Sequence, residues 1–254
     1  MKKGLCFLTL TLVLVGLSAS RLSAAGVPRN YLPVVLKNYG SLNFLAFGDS
    51  ITGCYFDSLV GDFPYCGYER RVYNRLRMEF GCCAGQFAFY NKSEGGETTA
   101  DGLARFSATI TSPGLPPEKA RLYPATSKNT VPDLVIIMEG TNDLNQGVDD
   151  LTIESNLSAM VGLARQAGKQ VILATIPPTF DPDPGERQHR ISQFNPRIFE
   201  IAAYYRIPVA DVYGRFAGHP EWMSSDGLHP NDAGFDQMAD VFFQAIVDLL
   251  GLTQ

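Results

Sequence analysis

Asn43-Phe44-Leu45-Ala46-Phe47-Gly48-Asp49-Ser50-Ile51-Thr52 runs from apolar side chains straight into a glycine, a carboxylate and a hydroxyl. A short apolar run bounded in this way reads as a buried strand ending in a turn. Four further runs repeat the pattern: Gln86 to Tyr90, Asp133 to Met138, Gln170 to Thr175 and Pro208 to Val212. The stretches between them have helical periodicity. Tyr68, Val72, Leu76 and Phe80 share one face; Ile153, Leu157, Met160, Val161 and Ala164 share another; Phe235, Met238, Ala239, Phe242, Ile246 and Leu249 share a third. Strands alternating with helices predict βαβ units, hence an α/β domain with a parallel sheet. The stripes are core, and Arg70, Arg71, Arg75 and Arg77 are expected on a solvated face opposite the first of them.

The 254 residues and the formal charge of −5 fit one globular α/β domain and do not read as a basic nucleic-acid surface. At the amino end, Lys2 and Lys3 precede an apolar run from Leu5 to about Leu17, followed by Ser18-Ala19-Ser20 and Ser23-Ala24-Ala25. This is the pattern of a secretory signal peptide, cut after Ala25 or Ser20, and the run is short of the ~20 apolar residues a spanning helix needs. The expected layout is a signal peptide over 1–25, an N-terminal arm or linker over 26–42 and a catalytic domain over 43–254. The mature protein would be secreted or otherwise extracytoplasmic, with no stable membrane span. Cys6 would leave with the signal. Cys54, Cys66, Cys82 and Cys83 remain, an even number that suggests disulfides with three possible full pairings. Cys54 with Cys66 is the more natural pair, because neighbouring cysteines rarely bond each other without strain.

The Pro-rich stretch from Thr111 to Val131 is long for a structureless connection, and a short helix is expected around Pro117 to Leu122. It leads from a helix into a strand, so it belongs at the amino edge of the sheet. Ligands in such sheets bind at the carboxyl edge, which places this loop away from an active site.

Four short blocks carry the chemistry: Gly48-Asp49-Ser50-Ile51, Gly95-Gly96-Glu97-Thr98-Thr99, Gly140-Thr141-Asn142-Asp143, and Asp226 with His229 three residues on. In order and separation they resemble the four motif blocks of the SGNH or GDSL-type esterase and lipase family, over essentially the whole chain after the arm. The resemblance implies a three-layer α/β/α sandwich on a five-stranded parallel sheet, flavodoxin-like in order. Independently of it, Ser50, Gly96 and Asn142 each follow a predicted strand, and Asp226 and His229 precede the last helix. All five would gather at the carboxyl edge of one sheet. Singly, each residue has a structural alternative, such as an N-cap for Ser50 or an Asx-turn for Asn142.

Acyl transfer assigns the roles. Ser50 would attack an ester carbonyl, His229 would take and return its proton, and Asp226 would hold the imidazole tautomer. Activity should fall in acid as the base is protonated. The resemblance assigns the oxyanion hole to the N–H of Ser50, the N–H of Gly96 and the Asn142 amide, with Gly95 the one-residue alternative to Gly96. Asp49 and Asp143 are read as groups that orient these loops, outside the triad. His189 and His219 lack an aspartate at the triad spacing and read as surface or turn residues. The run Asp181-Pro182-Asp183-Pro184-Gly185-Glu186 lacks the ligand spacing of a calcium loop and reads as an exposed loop. No metal and no cofactor are expected. The block here is GDSI where the family name has GDSL, a change behind the nucleophile and not in its chemistry.

Substrate choice is expected in Gly53 to Gly67 and Ile176 to Glu186. Tyr55, Phe56, Phe63 and Tyr65 could stack on a sugar, line an acyl pocket or form the loop's own small core. Gly67-Tyr68-Glu69-Arg70-Arg71-Val72-Tyr73 resembles a segment of carbohydrate esterases in the family. The partner is therefore a small-molecule or carbohydrate ester. A secreted serine esterase leads; an acyltransferase or a catalytically silent carbohydrate-binding module on the same fold are the alternatives.

Overall fold

The computed structural model describes residues 42–58, 66–80, 87–111, 121–122, 131–181 and 185–252. The N-terminal segment with its expected signal and arm, Cys82, Cys83, Phe63, Tyr65 and most of the Pro-rich stretch lie outside the described residues. The strands are β1 (Leu42–Gly48), β2 (Phe87–Ser93), β3 (Arg121–Leu122), β4 (Leu134–Met138), β5 (Gln170–Ala174) and β6 (Val209–Ala210). The helices are α1 (Gly67–Phe80), α2 (Thr99–Thr111), α3 (Thr141–Gln146), α4 (Asp150–Gln166), α5 (Gly185–Tyr205), α6 (Val212–Phe216) and α7 (Asp232–Leu250).

The sheet order is β3-β2-β1-β4-β5-β6, with all neighbours parallel except β3, which runs antiparallel to β2. The five parallel strands are those read from the sequence, in flavodoxin-like order. The added edge corrects one expectation: Arg121 and Leu122, placed in a short helix, pair instead with Tyr90 and Phe89. The cause is the open edge of β2, whose backbone groups are otherwise left without a ladder.

Every residue of β1 is buried, and its side chains alternate between two cores. Leu42, Phe44 and Ala46 join Tyr68, Val72 and Leu76 of α1 and Phe235, Met238, Phe242 and Ile246 of α7. Leu45 and Phe47 join Phe106 of α2, Ile153, Leu157, Met160 and Val161 of α4, and Ile191, Phe194 and Ile198 of α5. Helices thus cover both faces, giving the three-layer sandwich. The stripe of α4 is buried in full, while Leu249 of α7 is only partly buried.

The basic face of α1 is not simply solvated. Arg71 reaches Asp57 at 2.6 Å and Asp236 of α7 at 2.7 Å, with its side chain 15% exposed, and Arg75 pairs with Asp240. The face meets an acidic side of α7 that lies some 165 residues away in the chain. The apolar packing of α1 on α7 brings these opposite charges together.

The chain moves from β1 outward to β2 and then returns to the other side of β1 at β4. The carboxyl ends of β1 and β4 therefore flank a topological switch point, where open α/β sheets form crevices. Ser50 follows β1 and Asn142 follows β4.

Candidate active site

Ser50 lies in a tight turn two residues beyond β1. Gly53 donates its N–H to the Asp49 carbonyl at 2.9 Å, Tyr55 to the Ser50 carbonyl at 3.3 Å, and Ile51 to the Asp49 carboxylate at 2.9 Å. Position 48 has no room for a side chain. A Cβ there would stand 2.2 Å from Thr52 Oγ1 and 2.6 Å from the Met138 carbonyl oxygen.

Asp226 and His229 lie in the loop between a 3-10 turn at Pro220–Trp222 and α7. Met223 and Pro230 form an antiparallel bridge, and Ser224 donates its N–H to the His229 carbonyl at 2.7 Å. Asn231 caps α7 by accepting the Gly234 N–H, and its amide donates to the carbonyls of Glu221 and Met223. Gly227 holds a left-handed φ of 66°, and its carbonyl accepts the Phe180 N–H at 2.7 Å and the Thr179 hydroxyl at 3.1 Å. A Cβ at Gly227 would lie 2.5 Å from the Asp181 nitrogen. The loop is therefore seated on the segment that follows β5.

These two local structures bring three side chains into line. Ser50 Oγ is 2.8 Å from His229 Nε2, and His229 Nδ1 is 2.6 Å from Asp226 Oδ2. Asp226 Oδ1 accepts the Ser224 hydroxyl at 2.6 Å, the Leu228 N–H at 2.9 Å and the His229 N–H at 3.0 Å. Burial alone would raise this carboxyl, but those hydrogen bonds and the imidazole contact hold it well below the usual carboxylate range. An ionised Asp226 accepts a proton-bearing Nδ1, which leaves Nε2 as an acceptor facing the serine hydroxyl.

Gly96 adopts φ 83°, and Asn142 lies in the first turn of α3. The Asn142 amide donates to the Glu97 carbonyl at 2.8 Å, which sets it beside the peptide following Glu97, one residue on from Gly96, and leaves its second N–H to donate elsewhere. Among the described residues, neither the Ser50 N–H nor the Gly96 N–H donates to a protein acceptor. Gly95 answers to a different constraint: a Cβ there would lie 2.8 Å from the Tyr55 hydroxyl, whereas open space surrounds that of Gly96.

The two orienting aspartates differ. Asp143 accepts the Thr99 N–H at 2.8 Å and its hydroxyl at 2.6 Å, joining the starts of α3 and α2. Asp49 is buried, and burial pushes its carboxyl up to about 6 against the opposing Ile51 N–H, the Thr141 hydroxyl and the nearby His229. His189 is exposed on α5; His219 stacks on Trp222 at 3.9 Å and pairs with Glu221 at 2.8 Å. Neither joins the site.

Sequence reading missed the buried carboxyls around it. Glu139 ends β4's apolar run, and burial, then the neighbouring carboxyls of Asp49 and Glu97, push its own carboxyl well up. Glu97 pairs with Arg105, whose guanidinium sits 4.1 Å over Phe47. Glu69, in the first turn of α1, accepts the Asn91 amide at 2.8 Å, and that amide also donates to the Thr52 carbonyl. A charged residue closing a run such as Leu134-Val135-Ile136-Ile137-Met138 is the signal that points to Glu139. Tyr55 and Phe56 flank His229, with ring centroids 5.9 Å and 5.3 Å from the imidazole. Cys54 and Cys66 form a disulfide that ties this turn to the head of α1.

Residues 46–237 match the model of the GDSL-like lipase/acylhydrolase family. An arylesterase of Vibrio mimicus is 30% identical over 164 residues, which cover 62% of this chain and 68% of that protein. An acetylxylan esterase of Xylanibacter ruminicola is 27% identical over 137 residues, 45% of this chain and 28% of that longer protein. Among solved structures, the lipase/acylhydrolase from Enterococcus faecalis is 26% identical with a TM-score of 0.63, covering 84% of this chain and 97% of that one.

Proposed function

This chain belongs to the GDSL-like lipase/acylhydrolase family and is an ester hydrolase, and we propose that it works through an acyl-enzyme on Ser50. The observation that carries this reading is the 2.8 Å contact of Ser50 Oγ with His229 Nε2, backed by Asp226 at Nδ1. Ser50 Oγ bonds to the ester carbonyl carbon while its proton passes to Nε2. The carbonyl oxygen takes the negative charge and is met by the N–H groups of Ser50 and Gly96 and by the free N–H of Asn142. The carbon–oxygen bond to the alcohol then breaks, and His229 returns the proton to that alcohol. A water, deprotonated by His229, repeats the sequence to release the carboxylic acid and restore Ser50.

The proposed substrate is a short acyl ester, an acetyl group on a carbohydrate foremost. The acetylxylan esterase relative supports this, although this chain spans about a quarter of it; the arylesterase relative supports an ester with an aryl group. We place the protein outside the cytoplasm, with a signal peptide over 1–25, an arm over 26–42 and the catalytic domain over 43–254. The basic-apolar-small pattern of the first 25 residues and the Cys54–Cys66 disulfide support export. No described helix is long and apolar enough to cross a membrane.

The test is a panel of acetyl, butyryl and long-chain esters with acetylated xylan, run on the purified protein and on Ser50→Ala. Turnover of acetyl esters that Ser50→Ala abolishes, with an unchanged circular dichroism spectrum, is the expected result. A folded Ser50→Ala that retains most of its activity overturns the mechanism; preference for long chains overturns the substrate.

A further inference from the structure

We infer that Tyr55 and Phe56 form a platform for the alcohol half of the ester, so that this pair selects the leaving group and not the acyl chain. The inference rests on the acyl-enzyme reading above. The two side chains are 49% and 51% exposed. Among the described residues, the other large exposed apolar side chains, Met78, Leu151, Phe199 and Tyr204, lie on α1, α4 and α5. Tyr55 and Phe56 instead each face His229, at interplanar angles of 26° and 32° to its ring.

The exposure is built into the loop. Cys54 and Phe56 hold left-handed φ values of 56° and 66°, a conformation that side-chain-bearing residues avoid. Fixed points on either side maintain it. Cys54 is bonded to Cys66, and buried Asp57 accepts the Gly67 N–H at 2.7 Å and the Arg71 guanidinium at 2.6 Å. Between these anchors the backbone turns two consecutive rings outward. The phenol end of Tyr55 lies against Gly95, where a Cβ would stand 2.8 Å from its hydroxyl. A strained backbone that keeps apolar rings exposed beside a reactive group is a feature of binding sites.

The direction of proton transfer says which half of the ester meets the rings. His229 Nε2 delivers its proton to the departing alcohol oxygen, so the alcohol must lie on the imidazole side of Ser50. The carbonyl oxygen lies on the other side, with Gly96 and Asn142. Rings packed on the imidazole therefore meet the alcohol. A flat leaving group with an apolar face, aryl or pyranosyl, suits them best, since both stack on aromatic rings.

Three acetate esters separate these possibilities: ethyl acetate, phenyl acetate and an acetylated methyl xyloside. The quantity to follow is kcat/KM, which reports the acylation step while the alcohol is still attached. In Phe56→Ala and Tyr55→Ala, the ratio of phenyl to ethyl acetate should fall about tenfold, as should that of xyloside to ethyl acetate if a sugar is also accepted. A fall in the phenyl ratio alone assigns an aryl platform, and a fall in the xyloside ratio alone a pyranosyl one. The ratio of phenyl butyrate to phenyl acetate should stay within twofold. Phe56→Tyr, which retains a ring, should keep the wild-type ratios, and Phe56→Leu should lose them. Unchanged leaving-group ratios, or a shifted butyrate-to-acetate ratio instead, overturn the inference. A wild-type protein without ester turnover, or an active Ser50→Ala, overturns the acyl-enzyme reading and is distinguishable from either.

Discussion

Replacing Glu69 by glutamine should make the protein more stable in neutral and alkaline solution. Glu69 is buried to 1% exposure; one carboxyl oxygen accepts the Asn91 amide and the other has no partner. Burial pushes its carboxyl up to about 8 from an ordinary 4.5, with Asp57 adding to the rise and the hydrogen bonds and Arg71 opposing it. The folded protein therefore keeps a proton that the unfolded chain gives up above its ordinary value. The contribution of Glu69 to stability is highest below pH ~4.5 and declines as pH climbs toward ~8, at about 1.4 kcal/mol per pH unit. The decline amounts to about 3 kcal/mol at pH 7 and roughly 5 kcal/mol by pH 8 to 9. Glutamine has nearly the same shape, presents an oxygen to Asn91 and does not titrate. Urea denaturation of both proteins at pH 5, 7 and 8.5, with the disulfide intact, gives the difference directly. At pH 5 the two should agree to within about 1 kcal/mol, and glutamine should lead by about 3 kcal/mol or more at pH 8.5. A difference that does not grow with pH, or a glutamine variant that is weaker at pH 8.5, would refute a protonated Glu69.

Three further outcomes follow from the geometry. Asn142→Ala should lower kcat about a hundredfold or more in an ester assay, with a much smaller change in KM, because its amide is assigned to the charge that develops after attack. Gly227→Ala should destabilise the fold by about 2 kcal/mol or more in thermal or urea denaturation, since it combines a left-handed φ with a backbone collision at Asp181; Ser225→Ala, a neighbouring change without that collision, serves as its control. Arg71→Met should cost about 3 kcal/mol by urea denaturation, because it leaves the fully buried Asp57 carboxylate without its cation; an unchanged midpoint would mean that Asp57 is otherwise compensated.

The strands and the stripe of α4 were legible because both express a local rule: an apolar run, or an apolar residue every three or four positions. The contact of Ser50 with His229 was legible for a related reason, as each is adjacent to such an element and a parallel sheet puts equivalent ends together. The role of Arg71 was not legible, since its partner Asp236 comes from a different helix and only the packing of α1 on α7 joins them. Edge strand β3 was hidden likewise, because two residues carry no periodicity and their pairing depends on the exposed side of β2. Glu69 and Glu139 show the opposite failure: a carboxylate in sequence suggests a solvated charge, and only tertiary burial turns it into a proton-holding group.

The Cys54–Cys66 bond closes a ring, 12 residues apart in sequence, whose start lies four residues from Ser50 and whose end opens α1. Closing a ring fixes its two ends relative to each other whatever the length between them, and doubling a flexible loop costs only about 0.6 kcal/mol. Beyond the anchor at Asp57, the interior of the ring can therefore be lengthened, shortened or rewritten as an interchangeable insert while the turn bearing Ser50 keeps its seat. A library confined to this ring would explore new alcohol preferences on an undisturbed nucleophile, and natural divergence in the recognition of esters has the same route open to it.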